Sequence, residues 1–139
     1  MTMQEVLTIQ TRARAFEMIT SAVASVVARS DIKQGLCHVF IRHTSASVMI
    51  TENADSAVRR DLERFMQRIA PDGSPEYEHD AEGPDDMPAH IRTLLSGSAV
   101  SVPVVDGRLG LGTWQGIYVW EHRGSRHSRE VIVTVVGDP

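Results

Sequence analysis

Apolar residues recur along this chain with two different periods, and the switches between them outline its elements. Residues 5–10 alternate weakly and predict a first strand, with a short extended piece at 14–16. Ile19, Val23, Val26 and Val27 then recur at helical spacing up to Asp31, behind Thr20 or Ser21 as a cap. Gly35 marks the turn into a strand over 36–42, whose inward set is Cys37, Val39 and Ile41. The same alternation leaves His43 at the end of the apolar face. A strand over 46–51 follows, in which Val48 and Ile50 share a side with Glu52.

Residues 54–70 have the clearest helical stripe, Ala54, Val58, Leu62, Phe65, Met66 and Ile69, with Asn53 as N-cap. Asp61 falls on or beside that stripe, where an ionised carboxylate needs a neutralising partner. Residues 71–84 combine proline, glycine and charge and predict a loop. A short helix begins at Asp85 or Asp86, takes Pro88 in its first turn and ends at Gly97, with His90 and Leu94 on one face. Residues 99–105, 109–120 and 129–136 read as strands, separated by the hairpin signal Asp106-Gly107 and by the polar stretch 123–128. The pattern predicts an α+β fold: a single compact domain over 1–139 with a mostly antiparallel or mixed β-sheet, two main helices and one short helix.

Length agrees, since 139 residues make one ordinary domain and not two. Eighteen acids against fourteen Lys and Arg leave a net charge of −4, which argues against a nucleic-acid partner because no excess positive field is present to release counterions. Glu5, Arg12, Arg14 and Glu17 interrupt any signal-peptide apolar region. The longest stretch free of Asp, Glu, Lys and Arg, 93–105, is thirteen residues, short of the roughly 20 that a bilayer span needs. No membrane segment is expected. The lone Cys37 lies in an apolar run and is expected to be a buried, reduced thiol, which suits a cytoplasmic setting.

Six histidines provide candidate chemistry, and His43, His79 and His90 stand beside other reactive groups. Neither Cys-x-x-Cys nor His-Glu-x-x-His occurs, so spacing alone names no metal. Residues 72–86 hold seven acids and no Lys or Arg, and mixed imidazole and carboxylate donors suit a divalent cation, magnesium or zinc. Folding of the short helix back on this loop would bring His79 and His90 to one pocket with some of Asp80, Glu82, Asp85 and Asp86, and His43, at the end of its strand's inward face, is expected to converge on the same pocket. Thr44, Ser45 and Ser47 follow His43 without a nucleophile elbow and read better as turn partners. The four glycines from Gly107 to Gly116 suggest hairpin bends rather than a phosphate loop. Glu121 and Arg123 share the face of Ile117 and Val119, either as a buried ion pair or as an anion clamp through Arg123.

Several blocks in fixed order carry a resemblance: His43-Thr-Ser-Ala-Ser47, Glu52-Asn53-Ala-Asp55, Asp61-Leu62, Tyr77-Glu-His79-Asp80, Glu82-Gly83, Asp86-Met-Pro-Ala-His90, Gly107-Arg-Leu-Gly-Leu-Gly-Thr-Trp-Gln-Gly-Ile-Tyr118 and Glu121-His-Arg123. Together they resemble the YjbQ family, the secondary thiamine-phosphate synthase enzymes. The resemblance implies a compact α+β homotrimer with a pocket near subunit boundaries. It also implies a weak thiamine-phosphate synthase activity, in which a thiazole phosphate displaces pyrophosphate from a hydroxymethylpyrimidine pyrophosphate. Residue by residue it points to His43, Glu52, Asn53, Asp61, His79, His90, Gln115, Glu121 and Arg123. Of these His43, Glu52, Asn53, Asp61, Gln115, Glu121 and Arg123 are the catalytic candidates, and the expected convergence of His43, His79 and His90 makes those three the metal candidates. Asp85-Asp86 replaces the family's commoner Asp-Asn, and Trp120 stands where a smaller residue is common. The expected partner is a small phosphorylated or heterocyclic substrate. A non-catalytic metal- or ligand-binding protein is the alternative.

Overall fold

The computed structural model describes residues 1–139, the whole chain. Its elements in order are β1 (Thr2–Gln10), β2 (Phe16–Met18), α1 (Thr20–Ser30), β3 (Gln34–Ile41), β4 (Ala46–Glu52), α2 (Ser56–Ile69), α3 (Asp86–Ser96), β5 (Ala99–Val105), β6 (Arg108–Leu109), β7 (Gln115–Glu121) and β8 (Ser128–Asp138). A five-stranded sheet runs β1-β8-β3-β5-β6 and a three-stranded sheet runs β2-β7-β4. All the pairings are antiparallel.

Strand alternation explains where the core sits. Cys37, Val39 and Ile41 of β3 are buried as their period requires, beside Val131, Val133 and Val135 of β8 and Val102 and Val104 of β5. They share one cluster with Val48, Ile117 and Val119 of the smaller sheet and with Val23, Val26 and Val27 of α1. No helix is long and apolar enough to cross a membrane. Asp106 and Gly107 take φ of 50° and 78°, the positive values that a tight hairpin between β5 and β6 requires.

Several boundaries differ from the sequence reading. Arg14 turns at a φ of 48°, so the second strand starts at Phe16. Thr20 does not cap α1; its hydroxyl accepts from the Ile117 N–H at 2.9 Å, and Ile19 occupies the cap position. The span 109–120 is not one strand, since residues 110–114 form a loop between β6 and β7. Asn53 braces that loop by donating to the carbonyls of Thr113 and Gln115, and Asp55 caps α2 by accepting from the Ala57 N–H at 2.9 Å.

Helix α2 is also rotated from its apolar stripe. Arg59 donates to Tyr118 Oη and the Glu52 carbonyl, while Glu63 accepts two bonds from Arg92 and one from Trp120 Nε1. These contacts aim the 59–63–66–70 row inward, where Met66 and Ala70 are buried. Phe65 and Ile69 are left 50% and 45% exposed. Asp61 is turned outward with them and pairs with Arg64 in solvent, so it bears no burial cost.

Candidate functional site

The strongest cluster of reactive side chains gathers on the first turn of α3. Asp86 opens the helix and is 2% exposed. His90 lies one turn on, and i,i+4 spacing brings its Nε2 to 3.2 Å from Asp86 Oδ2. His79 reaches back from the loop to place its Nε2 2.6 Å from the same oxygen. Asp86 Oδ1 faces Arg123 Nη1 at 2.9 Å. Burial works to raise the Asp86 pKa, but His79, His90 and Arg123 together hold it below the usual carboxylate range. Asp85 occupies the N-cap position but its side chain makes no cap bond; Arg123 and the Gly124 N–H bind its carboxylate and pull its pKa down to about 2.

The tautomer of His90 follows from its other nitrogen. Nδ1 lies 3.1 Å from the Thr44 carbonyl oxygen, which can only accept, so Nδ1 carries a proton and donates. In neutral His90 the Nε2 lone pair then faces the Asp86 carboxylate, two acceptors at 3.2 Å. A cation between them, a second proton or a metal ion, resolves that opposition. A carbonyl holding the far nitrogen is also how ligating histidines are commonly oriented.

The donor set fits a metal. The ligand atoms of His79, Asp86 and His90 all lie within 4.8 Å of one another, close enough to surround an ion with bonds of about 2.0–2.1 Å after small side-chain adjustments. Two imidazoles with one carboxylate favour zinc or a similar transition ion over magnesium, which prefers oxygen donors. Two open clefts, each of about 370 Å³, flank the cluster. One is bounded by Tyr77, His79 and Asp80, the other by His43, Thr44 and His90.

His43 is therefore a neighbour of the cluster and not a fourth member of it. Its Nε2 accepts from the Glu130 N–H at 2.8 Å, completing the hydrogen bonding where β3 leaves β8. Burial, then Arg129, lowers its pKa, in keeping with a neutral ring that accepts. Glu52, Asn53 and Gln115 stand at the other end of the smaller sheet, where Glu52 pairs with Gln115 six residues along from the Ala46–Glu121 pair, roughly 20 Å away. Glu52 accepts from the Ala54 and Asp55 N–H groups, and Gln115 Oε1 from that of Gly112. Asp61 is in solvent on α2.

Glu121 pairs with Arg129, not with its face neighbour Arg123. Arg129 donates to both its oxygens, and Thr11 and the Arg123 N–H donate as well. Burial tends to raise the Glu121 pKa, and these donors hold it below the usual range. The adjacent His122 is fully buried with Nε2 2.8 Å from Ser47 Oγ. Burial, with Arg92, Arg129 and Arg14 nearby, pushes its pKa down to about 3. This Ser–His contact is sealed from substrate, which removes it as a nucleophile and base. Cys37 is likewise buried, and burial raises its pKa to about 11.

Asp86, at the centre of the cluster, was legible in the sequence only as one of the acids between His79 and His90; its i,i+4 spacing to His90 is the signal that singles it out. A family model described as UPF0047 protein YjbQ-like matches residues 5–138. The chain belongs to the YjbQ family. A UPF0047 protein of Synechocystis is 50% identical over 135 residues, covering 97% of this chain and 92% of that protein. The UPF0047 protein YjbQ of Escherichia coli O157:H7 is 43% identical, covering 97% and 98%. Among solved structures, an uncharacterized conserved protein of the yjbq/upf0047 family from Clostridium acetobutylicum superimposes with a TM-score of 0.87 at 35% identity, covering 95% of this YjbQ-family chain and 99% of that one.

Proposed function

We propose that this chain binds a divalent transition metal at His79, Asp86 and His90 and acts there on a small phosphorylated or heterocyclic substrate. The observation that supports this reading is the convergence of the ligand atoms of His79, Asp86 and His90 within 4.8 Å of one another, with His90 Nε2 3.2 Å from a nearly buried carboxylate and its Nδ1 held by the Thr44 carbonyl. A zinc ion bound there would polarise a phosphoryl oxygen or activate water at the coordination position left open. Asp86 supplies the charge, and Arg123 holds that carboxylate in place. The flanking clefts admit a small ligand from either side.

The transfer we propose there is a secondary, thiamine-phosphate synthase-type reaction, as the family resemblance implies. The thiazole nitrogen forms a bond to the pyrimidine methylene carbon, whose bond to oxygen breaks with its electron pair leaving on pyrophosphate. Positive charge near that leaving group is what the reaction requires. Arg123 is engaged by Asp85 and Asp86, so any leaving-group contact would have to compete with those carboxylates.

Metal analysis of protein purified without chelator, beside His90→Ala, tests the site. About one zinc per chain in the native protein and little in the variant is the expected result; equal content in both would sink it. Assay of the two thiamine precursors with both proteins then tests the transfer. A non-catalytic metal-binding role is the second reading, supported by the open clefts and by the sealed Ser47–His122 contact. Stoichiometric metal with no turnover across phosphorylated metabolites would establish it instead.

A further inference from the structure

The largest cleft lies away from the histidine cluster, between residues 12–16 and the first two turns of α2, with a volume of about 540 Å³. Arg12, Arg14, Arg59, Arg60 and Arg64 line it, in a protein whose net charge is −4. Glu63 is the acid among the lining residues, and Arg92 and Trp120 occupy both of its oxygens.

Surrounding acids neutralise this cluster only in part. Arg12 pairs with Glu17, Arg14 with Asp72 and Arg64 with Asp61, partly or largely in solvent where such pairs are weak. Arg59 binds a carbonyl and a phenol, and Arg60 a serine hydroxyl; neither has a carboxylate partner. The Arg14 Nε–H is buried with no acceptor at all. Arg60 and Arg64 are also one helical turn apart, a spacing at which like charges destabilise a helix. Arg59 and Arg60, left without a carboxylate partner, are the charges that an anion would satisfy. Phe16 adds an apolar wall, and the volume exceeds what a bare diphosphate fills.

We propose that this arginine-lined cleft is a binding site for a small organic phosphate or diphosphate ester, its anionic end held by the Arg14, Arg59, Arg60 and Arg64 guanidiniums and its organic end against Phe16. Guanidinium forks match phosphate oxygens and bind them with charge-assisted bonds. The proposal stands apart from the metal cluster, because none of these residues is a ligand there.

Titration of the full chain with inorganic pyrophosphate and with inorganic phosphate tests it, read by calorimetry and by the Arg side-chain Nε–Hε resonances. The expected result is saturable binding, tighter for pyrophosphate, that shifts the Arg14 and Arg59 signals. The double variant Arg60→Gln with Arg64→Gln, at two exposed positions, should weaken binding by at least about tenfold, whereas Arg68→Gln outside the cleft should leave it unchanged. Equal binding by the double variant and native protein would overturn the proposal, as would an absence of saturation at low salt. A fall in assembly mass for the double variant, with no change in pyrophosphate binding, would also overturn it by making the cluster a contact between copies.

Discussion

Arg123 Nη1 lies 2.9 Å from Asp86 Oδ1, so one guanidinium holds the carboxylate whose other oxygen faces both His79 and His90. Its backbone N–H is fixed in turn by Glu121 at 3.0 Å. Arg123 is thus a positioning residue for the cluster. Arg123→Met is expected to weaken zinc binding by about 10–100-fold, as loss of an outer partner commonly does, while Arg123→Lys recovers part of it. Competition with a chromophoric chelator measures this, and unchanged affinity in the Met variant would remove Arg123 from the site.

The Glu121–Arg129 pair is buried on both sides. Arg129→Met strands the carboxylate and is expected to destabilise the fold by about 3–5 kcal/mol in urea denaturation. Adding Glu121→Gln should restore much of that loss, because the uncompensated charge goes with it. A single variant with native stability would show that Thr11 and the Arg123 N–H suffice for the carboxylate.

His122 sets a pH dependence whose sign is fixed by its lowered pKa. Between 6.5, its ordinary value, and about 3 in the fold, the unfolded chain binds a proton that the native state refuses. Stability contributed by neutral His122 is therefore present above 6.5 and lost as pH falls through that window, at up to about 1.4 kcal/mol per pH unit. Glu121 and Asp85, with lowered pKa values, act in the same direction at more acid pH. His122→Asn should flatten the slope of unfolding free energy below pH 6.5 relative to native protein. An identical slope in both would exclude His122 as the group responsible.

The outer face of the larger sheet carries apolar rows, Val6 opposite Ile132 opposite Phe40 and Val136 opposite Leu36 opposite Pro103. Val6, Leu36, Phe40 and Val136 are 40–51% exposed within one chain. A homotrimer is the assembly proposed to cover such surface. Light scattering should return about three times the chain mass at micromolar concentration, and Phe40→Glu should reduce it. A monomer mass for native protein would count against the trimer.

How far the sequence reached depends on the range of the force that placed each residue. Cys37, Val39 and Ile41 were legible because a two-residue period is local and the core simply obeys it. Asp106-Gly107 was legible because positive φ limits the residues that fit. The face of α2 was not, since Arg59 and Glu63 answer to Tyr118, Arg92 and Trp120 from elsewhere in the chain, and an apolar stripe carries no trace of those partners. The site divided the same way. His79 and His90 could be grouped through the loop and helix that carry them, while His43 went to a backbone N–H on β8 that no local pattern announces. Glu121 found Arg129 across the β7–β8 turn rather than the nearer Arg123 for the same reason.

No residue from 71 to 84 is buried, yet this loop supplies His79. It is moored by charge: Arg14 to Asp72, Arg123 to the Glu82 carbonyl, and His79 to Asp86. With almost no apolar ballast, its opening is decoupled from melting of the valine core and forms a separate, smaller cooperative unit. Amide protons there should exchange early, at a rate tuned by added electrolyte, while those of β3 and β8 wait for global unfolding. Whatever cation settles on Asp86 would act as a latch, slowing exchange across the whole loop from a single point.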